Sequence, residues 1–308
     1  MTVLTDVDYG HGRLLDLYLP GDRPRPLPLL IWSHGSGFRA DNGRTGADLV
    51  AARLGPYGLA VAGIALPGTR THTFPAQLDA VRDAVAFLRR RAADWQLDAT
   101  RFAAMGESSG GWAAAMAGLA TDEVRAVVSL YPPTDLAAMN DHAREVGLVP
   151  TDRPGRPDER GVLPAGLAMD HDAPDSPESR LVGGPLREHL DVARTASPVH
   201  YVRAGAPPFL ILHGELDPLV PWPQGRVLAE ALAGAGASVE LIRLPHAGHA
   251  VWRTWLDDPA LKANARRVVG RDGQLADAGP VDPTWDLVAD FLTRHGVLPA
   301  QPPCTAFS

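Results

Sequence analysis

Six short apolar runs, spaced by stretches of helical periodicity, constrain this chain more than any other feature. Leu29-Leu30-Ile31-Trp32 is apolar at every position. A half-exposed strand would alternate, so a run of this kind suits a strand buried on both faces of a parallel sheet. Comparable runs occur at 59–66, 101–106, 124–131, 208–213 and 239–244. Between them, Leu78, Val81, Val85 and Leu88 repeat with the helical period after Pro75, which suits a first turn. Ser109 to Leu119 and Gln224 to Leu232 also read as helices. Asp282-Pro283 supplies an N-cap and first position for a last helix that stops at Gly296. Strand and helix therefore alternate, which predicts an α/β fold with a mostly parallel sheet covered by helices on both faces.

Two stretches break the rhythm. From Thr134 to Ser197 no clean strand is visible, and Pro, Asp, Arg and Gly crowd between Pro150 and Pro177. The chain is read as one domain, 1–308, with 134–197 as an excursion that serves as lid or pocket wall. A second excursion is expected from Val251 to Gly279. Near the start, Leu15, Leu17 and Leu19 alternate with Asp16 and Tyr18, as in an edge strand paired in a hairpin with the residues before it.

Composition narrows the function. The 308 residues are 45% hydrophobic, too apolar for a disordered chain. A single cysteine, Cys304, excludes a disulfide scaffold and a thiolate zinc site. A net charge of −7 disfavours nucleic acid as a partner. No secretory signal opens the sequence and no apolar run is long enough to span a membrane, so a cytoplasmic protein without membrane partners is expected.

The sharpest motif is Gly106-Glu107-Ser108-Ser109-Gly110-Gly111, a G-x-S-x-G pattern between an apolar strand and a small-residue helix. A strand-to-helix turn so tight strains the serine backbone and admits only glycine beside it, and it exposes Ser108 Oγ above the sheet. A serine hydroxyl is a weak nucleophile at neutral pH. It needs a base, and the base needs an orienting acid. In the order Ser, acid, His, the loop His213-Gly214-Glu215-Leu216-Asp217 and the loop Pro245-His246-Ala247-Gly248-His249 follow the fifth and sixth strands. Both fall at carboxyl ends of strands, where open α/β sheets bind ligands. Asp217 leads as the acid over Glu215 and Asp135, and Asp135 also reads as a helix N-cap. His246 and His249 compete for the base. His34 and His213 are expected to hold structure by hydrogen bonds. Glycines in His34-Gly35-Ser36-Gly37-Phe38 let backbone N–H groups approach an oxyanion; Ser36, Gly37 and Ser109 are the candidate donors. Phe38, Trp112, Tyr131 and Trp222 are candidates to line an apolar substrate pocket.

These motifs, with Tyr131-Pro132-Pro133-Thr134-Asp135-Leu136 and Ser197-Pro198-Val199 leading to Ala206-Pro207-Pro208-Phe209-Leu210, resemble the α/β-hydrolase superfamily. The resemblance runs from about Asp6 to Ala250. It is nearest the carboxylesterases of the hormone-sensitive-lipase and feruloyl/acetyl-esterase-like groups. It implies an α/β-hydrolase fold and a serine hydrolase acting on small-molecule carboxylic esters. Ser108 would be nucleophile, Asp217 acid and His249 base, with no cofactor or metal. Two departures stand out: Ser36 replaces a glycine, and Gly68-Thr69-Arg70-Thr71-His72 stands where Tyr-Arg is usual. An amidase, thioesterase or biosynthetic acyltransferase or cyclase would use the same triad. A ligand-binding homologue without catalysis is the remaining alternative.

Overall fold

The structure is a computed structural model that describes residues 1–164, 166–249 and 256–300. Its strands are β1 (Thr2–Gly10), β2 (Arg13–Leu19), β3 (Leu27–Ser33), β4 (Ala60–Ile64), β5 (Leu97–Glu107), β6 (Val124–Leu130), β7 (Val149–Thr151), β8 (Leu167–Met169), β9 (Phe209–Gly214), β10 (Val239–Leu244), β11 (Arg266–Arg271) and β12 (Gln274–Pro280). Its helices are α1 (Ala47–Leu54), α2 (Ala76–Arg90), α3 (Ser109–Leu119), α4 (Met139–Glu145), α5 (Pro177–Val182), α6 (Leu190–Thr195), α7 (Pro223–Gly234), α8 (Pro259–Lys262) and α9 (Trp285–Arg294).

The apolar runs become β4, β3, β5, β6, β9 and β10, which lie side by side in parallel in that order. Alternate residues of each strand feed two cores. Leu29 and Ile31 join Trp112, Met116, Leu228 and Leu232 of α3 and α7 on one face. Leu30 and Trp32 join Val50, Leu54, Val288 and Phe291 of α1 and α9 on the other. Each such side chain contributes about 1.5–3 kcal/mol by leaving water. Helix α2 buries Leu78, Val81, Val85 and Leu88, the stripe expected from the sequence.

Antiparallel hairpins extend both ends of the sheet. Strand β2 pairs with β1 on one side and β4 on the other, so β1, not the 15–19 run, is the edge. At the far end, much of the expected second excursion is the hairpin β11–β12, paired to β10; residues 251–255 lie outside the described residues. Its faces are half-exposed and carry Arg266, Arg267 and Asp277, which hides the apolar alternation. The turn chemistry was nonetheless legible: Asp272-Gly273, with φ of 50° and 79°, is the Asp-Gly pair that a tight hairpin turn favours. The last helix also starts later than expected. Thr284, not Asp282, is the N-cap, and its hydroxyl accepts from Leu287 N at 3.2 Å.

The 134–197 segment holds α4, α5 and α6, and also β7 and β8, which form a small parallel sheet of their own. The expectation of no strand there fails because three-residue strands leave no period to read. The segment is tied to the main body at Thr134 N, which donates to Gln224 Oε1 at 2.7 Å, and at Met169 N, which donates to Pro218 O at 3.0 Å.

Candidate active site

Ser108 sits between β5 and α3 with φ 53° and ψ −124°, a conformation that L-residues rarely adopt. The packing around it explains why. A Cβ on Gly110 would overlap the Ser33 carbonyl, and one on Gly106 would come within 2.7 Å of the same oxygen. Backbone of β3 and of the elbow thus press together without side chains between them. Ser108 N donates to Leu130 O at 2.9 Å, and Ser108 O accepts from Trp112 N at 2.9 Å, which pins the turn at both ends.

Asp217 follows β9 and is almost fully buried. Its Oδ1 accepts from Leu219 N at 2.9 Å and Val220 N at 2.8 Å. Its Oδ2 accepts from His249 Nδ1 at 2.8 Å, and His249 Nε2 lies 3.1 Å from Ser108 Oγ. A carboxylate, an imidazole and a hydroxyl from three loops therefore form one hydrogen-bonded chain. Burial alone would pull the His249 pKa down. The charge of Asp217 and its hydrogen bond outweigh that, with help from Glu107 and Glu178, and hold it above the ordinary 6.5.

The competing residues face elsewhere. Glu215 pairs with Arg243 Nε at 2.8 Å. Asp135 stands at the N-cap of the short turn Leu136–Ala138, and its side chain makes no capping bond. His246 Nε2 lies 3.3 Å from Asn264 Nδ2. The expected structural histidines do hold structure. His213, fully buried, donates from Nε2 to Val220 O at 2.8 Å, and burial pushes its pKa down to about 4. His34 Nδ1 abuts Glu107 Oε1.

The oxyanion candidates divide. Ser36 N donates to Ser109 Oγ at 2.9 Å, so it is already spent. The Ser36 hydroxyl donates to Ala40 O at 3.0 Å and closes its own loop instead of facing the cleft. The backbone N–H groups of Gly37 and Ser109 have no protein acceptor among the described residues, and both residues line the cleft above Ser108. That cleft has a volume of about 190 Å³.

The four aromatic candidates divide as well. Phe38 lines the cleft and meets Trp112 edge-on at 5.4 Å. Trp112 itself is core: it is fully buried and donates from Nε1 to Ala196 O at 2.6 Å. Tyr131 borders the cleft on its other side, packs edge-on against the His249 ring at 4.6 Å and donates its hydroxyl to Glu107. Trp222 lies under Arg226 and Arg243 and does not line the cleft.

Sequence reasoning missed several groups. Glu107, the first variable residue of G-x-S-x-G, is a buried carboxylate that gathers Tyr131, His34 and Gly35 N behind the nucleophile. An acid at that position in an otherwise apolar strand end was a usable signal. Met169, Pro177 and Glu178 of the 134–197 segment, with Leu219 and Val220, complete the cleft wall. Ser176-Pro177-Glu178 reads as a helix start, and Ser176 Oγ does accept from Ser179 N at 3.0 Å. That local signal does not tell where the carboxylate points. Among the described residues no group of three or more His, Cys, Asp or Glu could hold a metal ion. No helix of the described residues is long and apolar enough to cross a membrane.

A parallel sheet with Ser, acid and His, in that chain order, on loops at its carboxyl edge defines the α/β-hydrolase fold. Solved structures agree. A carbohydrate esterase from gut microbiota superposes with a TM-score of 0.66 at 26% identity, covering 81% of this chain and 89% of that one. An esterase of Pyrobaculum calidifontis gives 0.64 at 24% identity, covering 80% and 77%. Within this fold the chain belongs to the BD-FAE family, whose model matches residues 15–232. Esterase LipQ of Mycobacterium tuberculosis is 31% identical over 80% of this chain, and the chain spans 56% of that protein's length. Carboxylesterase NlhH of the same organism is 27% identical over 78% of this chain and 72% of its own length.

Proposed function

We propose that the protein is a serine carboxylesterase acting on small-molecule esters through an acyl-enzyme. The observation that carries this reading is the single hydrogen-bonded chain from Asp217 through His249 to Ser108. His249 Nε2 takes the proton as Ser108 Oγ attacks the ester carbonyl. Asp217 fixes the tautomer with hydrogen on Nδ1 and stabilises the imidazolium that forms. The tetrahedral oxygen is met by the N–H groups of Gly37 and Ser109, each worth about 10²–10³ in turnover. The imidazolium then protonates the leaving alcohol, and water, deprotonated by the same ring, releases the acid. The names of LipQ and NlhH support an ester as the scissile group. We read the chain as one catalytic domain in the cytoplasm, with 134–197 as the wall or lid of its pocket. The net charge of −7 disfavours nucleic acid as a partner.

The test is labelling with a fluorophosphonate, combined with Ser108→Ala. The wild-type protein should gain one adduct, on Ser108, and hydrolyse short p-nitrophenyl esters. A folded Ser108→Ala protein should resist labelling and lose about 10⁴-fold or more in turnover. Wild-type turnover in that variant would overturn the assignment.

A further inference from the structure

Glu178 is a carboxylate that the hydrolytic chemistry does not use, yet it lines the same cleft as Ser108 and His249. It is 3% exposed. A carboxylate oxygen that water does not reach needs a donor from the protein. Oε2 has one, and Oε1, which is not sealed from solvent, is left to whatever enters the cleft. Oε2 lies 2.8 Å from His171 Nδ1, whereas Oε1 has no hydrogen-bond donor among the described residues. The partner is itself locked. His171 is fully buried, its backbone N donates to Asn140 Oδ1 at 3.0 Å, and its carbonyl accepts from Ser176 Oγ at 2.7 Å. The carboxylate is thus held in place before any substrate arrives, with one acceptor left over. Pro133, Met169, Leu219 and Val220 make much of the wall apolar, which disfavours bringing a further full charge out of water, and the guanidinium of the lining, Arg39, donates to Asp175 O at 3.3 Å. A neutral hydroxyl meets both conditions: it donates to Oε1 and brings no charge onto a largely apolar wall.

We propose that Glu178 is a specificity-determining residue whose Oε1 accepts a hydrogen bond from a substrate hydroxyl near the ester, so that the cleft selects hydroxylated esters over their alkyl counterparts. The inference rests on the reading of the cleft as an acyl-transfer site, and its test separates the two. Binding is measured on the Ser108→Ala protein by NMR titration with two matched pairs. Glycerol monoacetate against propyl acetate places the hydroxyls on the alcohol; ethyl 3-hydroxybutyrate against ethyl butyrate places one on the acid. The hydroxylated member of at least one pair should bind about tenfold tighter, a ratio equivalent to about 1.4 kcal/mol. Adding Glu178→Leu should abolish that ratio. Glu178→Gln, whose amide oxygen still accepts, should keep part of it. With the wild-type enzyme the preference should appear in KM more than in kcat. Equal Kd values within both pairs, or a tenfold ratio that survives Glu178→Leu, would overturn the inference. Absence of turnover on all four esters would overturn the acyl-transfer reading while the Kd ratios still decide the role of Glu178.

Discussion

On the Ser108 side of the cleft, main chain presses on main chain; on the 134–197 side, side chains do the holding. The elbow is set by glycines packed against the Ser33 carbonyl and by backbone bonds to Leu130 and Trp112. The opposite wall is set by Asn140, whose amide donates to Asp170 Oδ1 at 2.7 Å and Asp172 Oδ2 at 2.8 Å, and by the His171–Glu178 pair. Backbone contact leaves no slack, because neither partner has a rotamer to change. Side-chain contact can re-form around a loss. The first arrangement suits reacting groups that must be placed within a fraction of an ångström. The second suits a wall that shapes what enters.

This contrast orders the expected outcomes. Asp217→Asn should cut kcat by about 10⁴-fold by disturbing the His249 tautomer. It should also move the pH profile. The base works when neutral, so activity rises with pH as His249 loses its proton, and the midpoint lies above the ordinary 6.5 because Asp217 favours the charged ring. Without that charge the midpoint should fall; a pH–rate profile that stays put would break the relay. The sign for stability is opposite to that for activity. A histidine with a raised folded pKa stabilises fully below about pH 6.5, and that contribution is lost as pH climbs through the folded value.

Gly110→Ala probes the elbow itself. The added methyl meets the Ser33 carbonyl, which cannot turn away, and should cost about 3 kcal/mol or more in denaturant unfolding. A loss under 1 kcal/mol would mean that the elbow has slack after all. Asn140→Ala should have the smallest effect, a loss of about 1–3 kcal/mol as the half-buried Asp170 and Asp172 lose a donor that is itself buried. Its kinetic signature should be a several-fold rise in KM with kcat much less altered, read from steady-state assays. A fall in kcat to match that of Asp217→Asn would erase the distinction between the two sides.

Much of the frame was legible in residues close together in the chain. The run 29–32 reads as a buried strand because every position is apolar, and G-x-S-x-G at a strand end reads as an elbow because only glycine tolerates that packing. Asp217 was legible from chain order. Other features were not. Ser36 looked like an oxyanion donor, but its N–H goes to Ser109 Oγ, a residue 73 positions away. Trp112 looked like pocket lining, but it is fully buried and its indole donates to Ala196 O, a residue 84 positions away. The hairpin β11–β12 was hidden because both its faces are half-wet, although its Asp-Gly turn was in view.

What the chain determines by itself is periodic and local: the alternation of strand and helix, the tight serine turn, and the placing of acid and histidine loops on one edge. These follow from sterics and burial over a few residues. Only the tertiary structure shows what lies across from His246 and His249, which share a loop: Asn264 for the first, Asp217 and Ser108 for the second. It also decided that Glu178 looks into the cleft. Ser108 and His249 are 141 residues apart, and the direction of a side chain is set by such distant neighbours, which no local pattern records.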